Sequence, residues 1–237
     1  MRGKVWSASR LGVGLALAVW ASLFWFILFA DRTSFYFASR TTWLAPVGAI
    51  FLTIAMVGRL ASARVDHPDP PSGTHLGTVL LLIAPALLIM LFPPVTLGSY
   101  AVAKRSTSIK GAYVSVTGRD LSKGDLSLVD LFGLRYTGDL GKLAPRAGST
   151  SSFTGFVSRD SSNGADEFML NRFMISCCPG DAVNVQVRVV GAPPGQFEQD
   201  DWVRVTGSIY PVGEDVIVDA SQVEQVPRPK HPYLNSS

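Results

Sequence analysis

E-F-M-L-N-R-F-M-I-S-C-C-P-G-D-A-V-N-V-Q-V-R-V-V runs from Glu167 to Val190, and D-D-W-V-R-V-T-G-S-I from Asp200 to Ile209. Val183, Val185, Val187 and Val189 alternate with Asn184, Gln186 and Arg188, the period of two of a half-buried strand. Four further runs read as strands: Phe153 to Arg159, Glu167 to Cys177, Trp202 to Tyr210 with Val203 and Val205 inward, and Asp215 to Asp219. In the Glu167 run, Phe173, Ile175 and Cys177 fall on one face and Met174, Ser176 and Cys178 on the other. Gly191-Ala-Pro-Pro-Gly195 and Pro211-Val-Gly213 supply turns between them.

Five short strands cannot hide both faces of a flat sheet, and closure into a barrel removes the exposed edges. An OB-like β-barrel domain is therefore expected over 150–228, with a tail at 229–237. W-V-R-V-T-G-S-I resembles the OB-fold strand in which a glycine permits a sharp bend.

The preceding half is of another kind. Leu11 to Ala30 is uncharged between Arg10 and Asp31, Thr41 to Gly58 is uncharged up to Arg59, and Leu76 to Ala103 is uncharged up to Lys104. About twenty apolar residues cross a bilayer core as a helix. Three transmembrane helices are expected, at about 11–30, 41–58 and 76–98, within a membrane domain at 1–105. Pro85 would kink the third, and Pro93-Pro94 would end or break it. The first run is long for a signal-peptide core and lacks a small-x-small cleavage site, so a retained helix is expected.

No ionisable residue lies inside these spans, which weighs against an ion or proton pathway within this chain alone. Arg2, Lys4 and Arg10 ahead of the first span favour an inside N-terminus, although Lys104, Arg105 and Lys110 after the third oppose it. Three spans would then place the C-terminal domain outside the cell membrane. The second loop carries Asp66, His67, Asp69 and His75, residue types that ligate metals, but its Pro and Gly punctuation favours a solvated turn. Residues 106–149 are expected to form a linker with one short helix, capped by Asp125 and presenting Leu128, Leu131 and Phe132 on one face.

Charge divides along the same line. Residues 1–105 hold nine Lys and Arg against three acidic residues, whereas 150–237 hold six against eleven. An acidic barrel whose central strand offers only Asn184, Gln186 and Arg188 outward does not suit nucleic acid.

Cys177 and Cys178 are the only cysteines. No second pair stands near them in zinc-finger spacing. In a regular strand one would face the core and the other solvent, but Pro179-Gly180 could turn them together. Three roles are open: a small buried hydrophobe beside an incidental thiol, a soft-metal or metalloid site using both thiolates with Asp181, or a redox switch. Zinc is one such soft ion. No enzyme is expected, because the domain has no histidine before His231 to serve as a base for a cysteine nucleophile.

T-G-F-V at 154–157, R-F-M-I-S-C-C-x-x-D-A at 172–182 and W-V-R-V-T-G at 202–207, behind three apolar runs, resemble the YcgQ-like family of bacterial membrane proteins. That family is described as permease subunits encoded beside a multi-spanning YcgR-type permease. The resemblance implies an accessory membrane subunit with such a permease as partner, and marks Arg172, Cys177, Cys178, Asp181 and Trp202 as motif positions. Family members carry a His-rich loop between the second and third spans, where this chain has only His67 and His75.

Overall fold

The computed structural model describes residues 5–65, 73–92, 94–104, 125–160 and 163–235. The chain divides into two units, Met1–Val95 and Thr96–Ser237.

In the first unit, strand β1 (Val5–Trp6) leads into helix α1 (Ala8–Phe29). Helix α2 (Leu44–Ala61) returns to strand β2 (Arg64–Val65), which pairs antiparallel with β1, and helix α3 (Gly73–Leu91) follows. Ser7 caps α1, its hydroxyl accepting the amide of Arg10, and the Arg10 guanidinium donates to the Ser62 carbonyl at 2.6 Å. Glycines let the helices approach closely. A Cβ at Gly14 would lie 2.7 Å from Leu60, and one at Gly12 would lie 2.9 Å from Val79. Leu23, Ile27 and Ala86 form the buried contact between α1 and α3. The Trp20 indole donates to the Leu82 carbonyl at 2.9 Å, and that of Trp25 to Thr53 at 3.2 Å.

Two helices are long and apolar enough to cross a membrane: Ala8–Phe29, and the continuous helical run Ser39–Ala61. The third expected span, 76–98, is helical only as far as Leu91 and stands as a shorter apolar helix, His75–Leu91. The Pro93-Pro94 pair follows, which cannot continue a hydrogen-bonded helix. Pro85 is accommodated inside it.

The second unit opens with helix α4 (Ser99–Lys104), so residues 96–104, assigned to the membrane part from sequence, pack with the barrel instead. Their hold is local: Asp200 accepts the Ser99 amide at 2.6 Å and the Ser99 hydroxyl at 2.8 Å. Helix α5 (Leu128–Thr137) is capped by Ser127 rather than Asp125. Ser127 and Asp130 exchange hydrogen bonds in a capping box, which outcompetes a single acidic cap by satisfying two amides at once. Leu128, Leu131 and Phe132 do share the buried face. A 3-10 helix at Leu140–Arg146 occupies part of the segment expected to be linker, and Leu140 and Leu143 anchor it in the core.

The barrel strands are β3 (Thr150–Ser158), β4 (Phe168–Ile175), β5 (Val183–Val190), β6 (Trp202–Val212) and β7 (Asp215–Gln225), with a short β8 (Leu234–Asn235) in the tail. β3 pairs with both β4 and β6, β6 with β7, β7 with β5, and β5 with β4, so the sheet closes on itself as a five-stranded barrel. All contacts between barrel neighbours are antiparallel except β5 with β7. Val185, Val187 and Val189 point inward with Phe153, Leu170, Val203, Val205 and Val218, as their alternation predicts. β7 is longer than the expected Asp215 to Asp219, and its second half pairs with β6 beyond an irregularity at Thr206/Gly207. A Cβ at Gly207 would collide with the backbone carbonyl of Asp219, so the bend needs glycine there.

On the outer face, Asn171 is fully buried. It donates to the Ser158 hydroxyl at 2.7 Å and accepts from Asn184 at 3.0 Å, which ties β3, β4 and β5 together through side chains.

Candidate functional site

β4 ends at Ile175, two residues short of the expected end, and the two cysteines lie beyond it in a turn. Cys178 is extended, and Pro179–Asp181 form one turn of 3-10 helix, with the Asp181 amide donating to the Cys178 carbonyl at 3.1 Å. Asp181 then reaches back over the turn. Its Oδ1 accepts the Ser176 amide at 2.9 Å and its Oδ2 the Cys177 amide at 2.7 Å. Three residues of spacing from Cys178 thus serve to close the loop: the carboxylate supplies the acceptors that the terminated strand no longer has.

The consequence is a pair of converging thiols. Cys177 is exposed and Cys178 half-buried, and neither is the core hydrophobe that strand alternation allowed. Neither is in a disulfide, and the two Sγ atoms stand 3.5 Å apart. The Asp181 carboxylate, hydrogen-bonded to the Cys177 thiol, and then the Cys178 thiol push Cys177 up from 9.0 to about 11. Burial alone would raise Asp181, but the amides of Ser176 and Cys177 and the Cys177 thiol outweigh it and hold the carboxyl below its ordinary value. Cys177 is therefore a thiol at neutral pH, and a metal taking it as ligand must displace its proton.

Two thiolates are what this turn offers an ion. Both Asp181 oxygens are engaged by backbone amides, and among the described residues no three His, Cys, Asp or Glu side chains converge on a metal-sized site. That donor set suits a two-coordinate soft ion or a trivalent metalloid, and falls short of the four ligands of structural zinc. Of the loop residues considered as ligands, Asp66, His67 and Asp69 lie outside the described residues, and His75 falls in α3.

Arg172 and Trp202 form a second contact. The Arg172 guanidinium carbon stands 5.9 Å from the centre of the Trp202 ring, and Trp202 tilts against Phe156, which stacks on Phe173. Arg172 donates to the carbonyls of His231 at 2.6 Å and Pro232 at 3.2 Å, and so holds the tail where β8 pairs in parallel with Met174 and Ile175. Burial pushes the Arg172 guanidinium down from its usual value. The sequence motif therefore splits by role: Arg172, with its guanidinium beside the Trp202 ring, fastens the C-terminal tail, and Asp181 shapes the cysteine turn.

Residues 143–235 match the family described as the DUF1980 C-terminal domain. The match takes in the barrel, the cysteine turn and the tail strand, and YcgQ-like proteins contain this domain. No curated protein matches the chain. With its two apolar helices, the domain match is compatible with a membrane-associated protein.

Sequence reasoning placed Arg188 on the outward face of its strand and Arg159 at a strand end, but it did not gather them with Arg135 beside one cavity, and it missed the Asp200 clasp on Ser99. Arg135 and Asp200 carry no periodic signal.

Proposed function

We propose that this chain is a multi-pass integral membrane protein, the accessory subunit of a permease, presenting an OB-like barrel at the membrane surface. The observation that carries it is the outward face of α2. Val47, Ile50, Phe51, Ile54 and Val57 are all exposed along one helix that is long enough to cross a bilayer. Water would not tolerate so continuous an apolar surface, and lipid or another helix would. α3 adds Leu80, Leu81, Leu87 and Leu88, so we take it as the third span, shortened at its end.

The strand order β3-β4-β5-β7-β6, with the parallel β5 and β7 contact, supports the OB-like assignment of the barrel. Within the first unit, α1 begins where α2 ends, so Arg10, Arg59 and Arg64 gather at one end. By the positive-inside rule that end is cytoplasmic, and three crossings then carry the barrel outside. The partner, a multi-spanning YcgR-type permease, follows from the resemblance of the sequence motifs. Co-purification from native membranes tests it: a stable complex with a multi-spanning protein is expected, and a lone monomer would overturn it. Labelling Cys177 and Cys178 with a membrane-impermeant maleimide in intact cells tests the sidedness.

The convergence of the two thiols at 3.5 Å favours a second reading, a thiophilic site that captures a soft ion or trivalent metalloid for the complex. An arsenite titration of the full chain checks it. Binding of one equivalent, lost in both Cys177→Ser and Cys178→Ser, is expected; equal binding by parent and variants would sink it.

A further inference from the structure

β5 and β7 are paired only through Arg188–Val190 and Ile217–Asp219. Ahead of that contact the strands part, and Gln186 and Val187 no longer meet Asp215 and Val216 across a ladder. α5 lies along β5 on one side of the gap, and α4 lies on the other, so a cavity of about 350 Å³ remains between them. All of its lining belongs to the second unit. None of it belongs to the cysteine turn.

Three arginines line this space, Arg135, Arg159 and Arg188. Two of them have carboxylate partners: Arg135 with Asp215 at 3.0 Å, and Arg188 with Glu167 at 3.3 Å. Arg159 differs. Its Nη1 donates to the carbonyls of Ala165 and Glu167, at 3.2 and 2.8 Å, which fixes the side chain. Its Nη2 is buried and has no hydrogen-bond partner, and its guanidinium carbon stands 5.7 Å from the centre of the Phe168 ring; among the described residues Arg159 forms no ion pair. A guanidinium N–H left without an acceptor costs stability that an incoming anion would recover. Asp160 and Asp215 also line the space, so the site is not uniformly positive. Leu131, Met169 and Val216 supply an apolar wall, and the volume exceeds that of a bare oxyanion.

We propose that this cavity binds a small organic anion, its phosphate or carboxylate group held by Arg159 with Arg188 and its body resting on the apolar wall. Gln186 and Gln199 also line the space; their amide oxygens already accept from Asn184 and from the Arg159 amide, which leaves their amide N–H groups as neutral donors for the remainder of the ligand. The site stands independently of the membrane assignment. A soluble metabolite and a phospholipid headgroup present the same chemistry, and the experiment separates them.

Full-length chain in neutral detergent is titrated by calorimetry with glycerol 3-phosphate and with hexanoate, and separately with phosphatidylglycerol added to the micelles. Arg159→Gln is compared with parent, with Arg188→Gln as a second variant that leaves the Arg159 loop contacts in place. Arg204→Gln, on a surface ion pair with Glu224, is the control. Each cavity variant is expected to lose about tenfold or more in affinity, the size of one charge-assisted hydrogen bond, while the control is unchanged. Arginine-dependent binding of a soluble probe assigns a soluble anion, and arginine-dependent binding of phosphatidylglycerol alone assigns a headgroup. Absence of saturable binding by every probe, or binding that neither cavity variant weakens, overturns the proposal.

Discussion

The carboxylate of Asp181 accepts the backbone amide of Cys177 at 2.7 Å and thereby folds the end of a barrel strand into a turn that brings Cys177 and Cys178 together. The same carboxylate governs the chemistry of the first thiol. Because Cys177 is raised from 9.0 to about 11, the folded state prefers its protonated form. Its contribution to stability is complete below pH 9 and is lost as pH rises through about 11. Alkylation with iodoacetamide, resolved by peptide mass spectrometry, should show Cys177 reacting slowly at pH 8 and steeply faster toward pH 11. In Asp181→Ala the rise should move down toward pH 9, and an unchanged profile would remove Asp181 as the cause.

Asp200 adopts a positive φ of 70° and uses both carboxylate oxygens on Ser99. Non-glycine residues adopt this region at a cost, which here is offset by two hydrogen bonds, one of them to an α4 amide. Asp200→Ala keeps the strain and loses both bonds, so a loss of about 1–3 kcal/mol is expected. Hydrogen exchange at residues 99–104 should accelerate in that variant. Asp200→Asn, which retains an acceptor, should lie between it and parent.

Gly207 leaves no room for a Cβ against the Asp219 carbonyl, and both partners are backbone atoms of paired strands. Gly207→Ala must push β6 from β7 at the bulge, and a loss of about 1–3 kcal/mol is expected from overpacking. Thermal unfolding followed by near-ultraviolet dichroism measures it. Gly195 has positive φ but open space around it, so Gly195→Ala should cost less.

Phe51 and Ile54 are 72% and 65% exposed on α2. Replacing Phe51 with Asp removes no buried contact, so a water-exposed α2 would tolerate it. If this face meets lipid, a charge near the middle of the helix costs about 2.5–3.5 kcal/mol of insertion. Carbonate extraction of membranes should then release a measurable fraction of the variant and none of the parent.

Much of the architecture was legible in one dimension. The valine alternation in β5 decided which side chains enter the core, since successive strand residues must face opposite ways. The uncharged runs marked α1 and α2, because length and hydropathy are additive properties of a segment. Strand ends were less legible. β4 stops at Ile175 because Asp181 offers the following amides a better acceptor than a neighbouring strand does, and that competition depends on a turn.

By itself the sequence determined the division into apolar helices and an acidic barrel, the inward faces of β5 and β6, and the adjacency of the two thiols. Only the tertiary structure decided that the thiols converge rather than diverge, that Arg172 holds a tail some sixty residues away, and that Ser99 answers to Asp200. It also left Arg159 with an unanswered donor beside a cavity. The last three share one physical reason. Periodicity and composition fix how a residue relates to its immediate neighbours, whereas a hydrogen bond between distant segments exists only once barrel closure has fixed both ends in space.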